Sequence, residues 1–332
     1  MLNNKSILIT GGTGSFGKKF TTRILKKYKP KKIVIFSRDE YKQYLMKQEF
    51  SQLNDRLRFF IGDVRDKERL VRAFEGIDVV IHAAALKHVP IAEYNPFEAI
   101  KTNIHGAKNV IDAALDTGVH KVVALSTDKA VNPVNLYGAT KLVSDKLFVA
   151  ANAYAGKKKT MFSVVRYGNV AGSRGSIIPY FHALLEGGAK ALPITDERMT
   201  RFWITLDEGV DLVFRAINES VAGGIYISKI PSVRIVDLAK AMLPGGKKKI
   251  IGIREGEKLH EIMITEEDSR STYDYKDHYI IYPNFDWWSR SKYFKKGGKK
   301  VADGFVYCSG NNVQWLSGEK LKKELKKIDI VY

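Results

Sequence analysis

The sequence lacks most of what would tie it to a membrane, an oxidising compartment or a metal. One cysteine, Cys308, stands among 332 residues. It cannot form an internal disulfide, and no Cys or His cluster with ligand spacing accompanies it. A zinc-type site is therefore not expected, and a reducing, cytoplasmic setting is. No apolar run approaches the roughly 18 residues that would suggest a bilayer span. No basic head with a cleavage site precedes the first apolar segment, so no export signal is expected. Acidic side chains are outnumbered, 36 against 55 Lys and Arg, for a net charge of +19. The lysines are spread along the chain, with short clusters at 157–159, 247–249 and 295–300, and no nucleic-acid-binding motif lies beside them. The excess fits a small anionic substrate, while the scatter of the lysines and the missing motif argue against a nucleic-acid partner.

What is present is a core and an alternation. Apolar residues make up 45% of the chain, and the length allows two domains. Short β-rich runs at 6–10, 32–37, 57–61, 79–82, 121–126 and 161–166 alternate with helix-length stretches, notably 16–28, 95–117 and 137–154. Such a pattern predicts an α/β fold, a Rossmann-type doubly wound parallel sheet covered on both faces, over residues 1–170. Residues 171–332 are expected to form mainly a smaller substrate-binding lobe, with some segments returning to the main domain. Within them 172–179 reads as a loop, 201–204, 206–218, 235–242 and 250–253 as small elements, and the aromatic, basic stretch 285–300 as a loop or an oligomer contact.

Ligands of such sheets bind at the carboxyl ends of the strands. There the first run ends in Gly11-Gly12-Thr13-Gly14-Ser15-Phe16-Gly17. Glycine is needed at a tight strand exit, where backbone approaches a diphosphate, and where helix packs on strand. A helix opening behind it offers free N–H groups to phosphates. The pattern points to a nicotinamide dinucleotide, with Thr13, Ser15 and Phe16 beside it. The second strand ends in Ser37-Arg38-Asp39. Arg38, with Lys42 a turn later, favours the 2′-phosphate of NADP, while Asp39 could hold ribose hydroxyls and keeps NAD open. In Gly62-Asp63-Val64 the aspartate can reach the adenine or cap the following helix. Ala83, Ala84 and Ala85 would let the dinucleotide lie close to the fourth strand.

Strand 121–126 runs into Thr127-Asp128-Lys129, and Tyr137 and Lys141 follow on a helix, four apart and so on one face. A lysine there would lower the phenol below its usual value of about 10, making Tyr137 a base for a hydroxyl proton. Thr127 could hydrogen-bond the reacting oxygen. A non-catalytic dinucleotide sensor would need none of these three.

The glycine pattern, the Tyr137/Lys141 pair and Thr127 resemble the extended short-chain dehydrogenase/reductases over nearly the whole chain. Asn103 stands where that family has a fourth element. Retaining nucleotide-sugar 4,6-dehydratases carry Thr-Asp-Glu where this chain has Thr127-Asp128-Lys129. The lysine resembles instead the inverting UDP-N-acetylglucosamine 4,6-dehydratases of pseudaminic acid biosynthesis, which serves flagellin glycosylation. Further matches are the runs 83–90, 166–170, 200–203 and 254–261. The resemblance implies a homo-oligomeric lyase in which hydride is borrowed and returned. Lys129 would take the C5 proton, with Asp128 or Lys129 itself as acid at the 6-hydroxyl, which demands a lysine well below its usual pKa of about 10.4. Val170 is implied beside the cofactor. Lys87, Tyr137, Asn169, Arg174, Arg201, Arg254 and Glu257 are implied around the substrate. On local grounds alone, Arg254 and Glu257 could be a helix pair, and Arg201 could pair with Asp196 or Glu197. A 4-epimerase or a retaining dehydratase on the same fold is the alternative.

Overall fold

The computed structural model describes residues 2–53, 55–156, 158–173 and 175–328. In the first half, β1 (Ser6–Thr10), α1 (Ser15–Lys27), β2 (Lys32–Ser37), α2 (Glu40–Glu49), β3 (Leu57–Ile61), α3 (Lys67–Phe74) and β4 (Val79–His82) follow the expected alternation. Then come α4 (Val89–Tyr94), α5 (Pro96–Ile100), α6 (Gly106–Thr117), β5 (Lys121–Thr127), α7 (Leu136–Tyr154) and β6 (Met161–Tyr167). The strands are short and apolar because both faces of the sheet are covered. Successive side chains alternate between two cores. Ile7 and Ile9 face α1 residues Phe20 and Ile24, while Leu8 faces Leu70, Phe74 and Val110 on α3 and α6.

The second half contributes β7 (Asn169–Val170), α8 (Ile177–Glu186), β8 (Ala191–Ile194), β9 (Thr200–Ile204), α9 (Leu206–Glu219), β10 (Ile225–Ser228), β11 (Ser232–Arg234), α10 (Ile235–Met242) and β12 (Lys247–Ile250). After these come β13 (Ile262–Ile264), α11 (Glu266–Ser269), β14 (Thr272–Asp274), β15 (His278–Ile281), α12 (Arg290–Tyr293), β16 (Lys299–Lys300), β17 (Tyr307–Cys308) and α13 (Gly318–Lys326). The main sheet has the order β16-β14-β15-β10-β6-β5-β4-β1-β2-β3. Strands β1 to β6 and β10 are parallel, and β15, β14 and β16 extend the edge antiparallel. Helix α9 also returns: Phe214 packs on Phe20, and Arg23 of α1 bridges Asp207 and Asp211. The small sheets β11-β9-β7, β12-β8 and β13-β17 stand apart from the main sheet.

Four expectations differ from the structure. Residues 95–117 are not one helix: α5 ends at Ile100 and a π-turn over Lys101–His105 precedes α6. The loop after Gly172 stops early, because α8 begins at Ile177 and tolerates Pro179 in its first turn, where an N–H has no intrahelical partner. The strand near 250–253 is shifted to β12, where three exposed lysines precede Ile250 and pair with β8. The stretch 285–300 is partly packed: Trp288 and Phe294 stack near Tyr282, and β16 adds to the sheet edge. Among the described residues, no helix is long and apolar enough to cross a membrane.

Candidate active site

The strand order reverses between β1 and β4, which opens a crevice at their carboxyl ends. A cavity of about 660 Å³ lies there, lined from both halves of the chain. Gly11 leaves β1 at φ +65°, and a Cβ there would approach the Ala84 backbone to 2.9 Å. A Cβ on Gly17 would lie 2.3 Å from the Gly12 carbonyl oxygen. The chain's own packing demands both glycines. Gly14 is different, because its Cβ would meet only the Gly11 oxygen, at 3.2 Å. That glycine keeps the cavity floor low for something outside the chain. It also begins α1, which has no side-chain cap and no acidic residue in its first turn. The floor, with Thr13, Ser15 and Phe16 along it, thus fits a diphosphate held by backbone N–H groups. Ala83, Ala84 and Ala85 form the facing edge, and Val64 and Val170 also line the cavity.

At the rim, Asp39 is used by the chain itself. Its carboxylate caps α2 by accepting from the Lys42 N–H at 2.9 Å and pairs with Lys42 Nζ at 2.6 Å, which holds it below its ordinary value. Arg38 remains at the mouth, half exposed, with Asp63 near it at 3.6 Å. Asp63 is not the cap of α3; Asp66 is, accepting from the Arg69 N–H. Asp63 instead holds Arg65 and Arg38 while lining the cavity. His82 is structural. Its ring bonds Thr10 Oγ1 at 2.8 Å, and burial, with Lys141 nearby, pushes it down to about 3.

Asn103 does not face the cavity. Its side chain bonds both backbone groups of Leu86, at 2.8 and 2.9 Å, and Thr140 Oγ1. It pins the exit of β4 to α7, and the π-turn that carries it sets Thr102 on the cavity wall. Thr102 carries no sequence signal of its own for this place, because it looks like any residue of a long helix.

Helix α7 brings Tyr137 and Lys141 to the cavity beside Thr127, which ends β5. The expected pairing is not what the structure shows. Lys141 donates to the Leu125 carbonyl at 2.7 Å, and burial lowers it, opposed by Asp145. Burial pushes the Tyr137 phenol up to about 12; the Lys129 cation and the Thr127 hydroxyl pull against that rise. The ligand-free phenol is therefore neutral near pH 7.

Lys129 corrects the sequence reading further. Its Nζ meets Asp128 Oδ1 at 3.1 Å, Glu261 Oε1 at 3.4 Å and Asn169 Oδ1 at 3.4 Å. Burial pushes the amine down, but the two carboxylates outweigh it and hold it above its ordinary value. The groups that touch it directly are anionic, with Arg201 farther off as an opposing cation. Asp128 is fully buried and does not line the cavity, whereas Lys129 does. Burial pushes the Asp128 carboxyl up, Lys129 pulls it down and Glu261 pushes it up again. Glu261 had been read only as the end of a motif run, and no residue near it in sequence hints at its contact. Tyr167, also unremarked, lines the cavity and is held up by burial.

The substrate side is only partly assembled. Lys87 and Asn169 line the cavity. Arg201 does not; it turns to Glu261 at 3.5 Å and to the Thr200 and Leu259 carbonyls. Asp196 and Glu197 have other partners, Arg198 and Lys248. Arg254 is exposed, and Glu257 accepts from its backbone N–H at 3.4 Å in a turn, not a helix. Neither lines the cavity. Arg174 lies outside the described residues. Among the described residues, no group of three or more His, Cys, Asp or Glu could hold a metal.

A family model described as "Polysaccharide biosynthesis protein" matches residues 7–283. A UDP-N-acetylglucosamine 4,6-dehydratase (inverting) of Campylobacter jejuni is 59% identical over 326 residues, 97% of each chain. A UDP-glucose 4-epimerase of Rickettsia akari is 44% identical over 338 residues, covering 100% of this chain and 98% of its own. The X-ray structure of Pen from Bacillus thuringiensis is similar with a TM-score of 0.88 at 37% identity, over 98% of both chains.

Proposed function

The chain belongs to the polysaccharide biosynthesis protein family, within the extended short-chain dehydrogenase/reductases, and we propose from that premise that it is a UDP-N-acetylglucosamine 4,6-dehydratase that inverts C5. Its product is then a UDP-4-keto-6-deoxy-L-sugar. The observation that carries this reading is the Lys129 amine on the cavity wall between two buried carboxylates. A 4-epimerase needs the Tyr137/Lys141 pair but has no use for an acid–base group at C5.

The cofactor is a nicotinamide dinucleotide, on Gly11, Gly14, Gly17 and the first N–H groups of α1. NADP is favoured over NAD because Asp39 is committed to its helix and to Lys42, leaving Arg38 for a 2′-phosphate. Hydride chemistry, removal from C4 and return at C6, is what a nicotinamide would supply when bound there. Tyr137 takes the C4 hydroxyl proton, with Thr127 holding that oxygen. The nicotinamide's positive charge is one cation able to lower the phenol from its ligand-free value.

The resulting ketone acidifies C5–H. Lys129 must first lose a proton, and Asp128 Oδ1, 3.1 Å away and made more basic than an ordinary carboxylate by burial, is placed to take it. The neutral amine then removes the C5 proton. The freed electron pair forms C5=C6 as the C6–O bond breaks, and the departing hydroxyl takes a proton from the same ammonium and leaves as water. Because Asp128 does not line the cavity, Lys129 is the group that meets the 6-hydroxyl. Return of the hydride to C6 would be balanced by one solvent-exchangeable proton added to C5 from the face opposite Lys129, equal to the proton Tyr137 took from the C4 hydroxyl, and that addition inverts the centre. Lys87 and Asn169, which line the cavity, are the residues placed for the UDP-sugar; Arg201, Arg254 and Glu257 would have to turn towards it to contribute.

The same reading places the enzyme in the cytoplasm as a homo-oligomer, opening a route to pseudaminic acid and flagellin glycosylation. Mass spectrometry after incubation with UDP-N-acetylglucosamine tests it directly. A product lighter by one water is expected. A product isomeric with the substrate would support the epimerase reading, which the Rickettsia relative motivates.

A further inference from the structure

Glu261 precedes β13, and its backbone is clamped by its neighbour β17. Its N–H donates to Ser309 Oγ at 2.9 Å, and its carbonyl accepts from the Ser309 N–H at 2.8 Å. Gly310 lets this turn lie against His260, where a Cβ would fall 2.7 Å from the ring. The result is a carboxylate only 2% exposed, delivered behind the cavity wall from a distant part of the chain.

Its surroundings are cationic. Lys129 Nζ is 3.4 Å and Arg201 Nε 3.5 Å from Oε1, and Lys258 faces the same group. Burial alone would push this carboxyl up, but the three cations outweigh it and keep it ionised. Asp128 stands on the other side of Lys129. The charged groups facing Lys129 are thus Asp128, Glu261, Arg201 and Lys258, with the Tyr137 phenol beside them. Of the two carboxylates, Asp128 is biased towards taking a proton and Glu261 towards keeping its charge. Three oxygens, from Asp128, Glu261 and Asn169, match the three N–H bonds of an ammonium.

We propose that Glu261 is a positioning residue for the reaction: from behind the wall it holds the Lys129 ammonium at the cavity and sets the pH at which that amine changes charge. Asp128 exchanges the proton, while Glu261 stays charged and fixes where the exchange is balanced. This rests on the dehydratase reading for its purpose but not for its test.

The test is an NMR titration of full-length protein carrying 13C-labelled lysine, with the Lys129 signal assigned by its loss in Lys129→Arg. In the wild type that amine should stay charged above the ordinary value of about 10.4. In Glu261→Gln its midpoint should fall by about one to three pH units, with Glu261→Asp in between. The Lys129-dependent limb of the kcat profile for UDP-N-acetylglucosamine should move to lower pH in step, with KM little changed because Glu261 does not reach the cavity. A wild-type Lys129 that titrates at or below the ordinary value overturns the proposal, whether or not the variant folds. So does a folded Glu261→Gln whose midpoint stays in place. Wild-type protein that fails to dehydrate the substrate would count against the dehydratase reading alone and leave the titration to decide the role of Glu261.

Discussion

The wall beneath the glycine turn is built from backbone, and the wall around Lys129 is built from side chains. On the first, Gly11, Gly17 and the start of α1 are fixed by clashes that any Cβ would create, and the geometry is complete without a ligand. On the second, five charged groups from three parts of the chain meet within one cluster, and each influences the state of the others. The backbone wall offers a shape. The side-chain wall offers a proton inventory that depends on pH and on what binds. Substitutions should therefore separate cleanly: changes on the first wall alter cofactor affinity and stability, and changes on the second alter turnover.

The sharpest break in that comparison is Lys129→Ala. Removing a general acid–base group costs about 10²- to 10⁴-fold, so kcat for dehydration should collapse while the NADP dissociation constant, read by calorimetry, stays within about twofold of wild type. Near-normal turnover would sink the assignment. Arg38→Ala should do the reverse, weakening NADP by about 10- to 100-fold, the worth of a charge-assisted contact, without touching NAD. Equal losses for both cofactors would remove the case for NADP. Gly17→Ala forces a Cβ onto the Gly12 backbone; overpacking of about 1–3 kcal/mol should lower Tm and weaken cofactor binding together. The smallest effect is expected from Asp39→Ala, about 1 kcal/mol of stability through a lost helix cap, with NADP affinity nearly unchanged. A large loss of NAD binding there would show that Asp39 holds the ribose after all.

The backbone wall was legible in the sequence because its requirements are local. Glycines at 11, 14 and 17, a strand before and a helix after, fall within one short stretch of chain. The succession of β1 to β6 along the chain with helices between them followed from the alternation of apolar runs for the same reason. Where local signals competed, boundaries slipped: Asp66 and not Asp63 caps α3, and a π-turn splits what looked like one helix. The side-chain wall was half legible. Thr127, Lys129, Tyr137 and Lys141 could be named, but not the charge state of Lys129. That state depends on Glu261, which the antiparallel pair of β13 and β17 brings back across the fold. Asn103 matches the family's fourth element by position, but its side chain braces Leu86 against Thr140 and does not face the cavity, which the motif alone does not reveal.

The central claim is that one cavity borrows a hydride and, through Lys129, removes water across C5 and C6. The most direct measurement is NMR of the product formed from UDP-N-acetylglucosamine in heavy water. A 4-keto-6-deoxy sugar with deuterium at C5 and inverted geometry at that carbon is the predicted result. A product that keeps its 6-hydroxymethyl group, or one that carries deuterium at C5 with retained geometry, would contradict it.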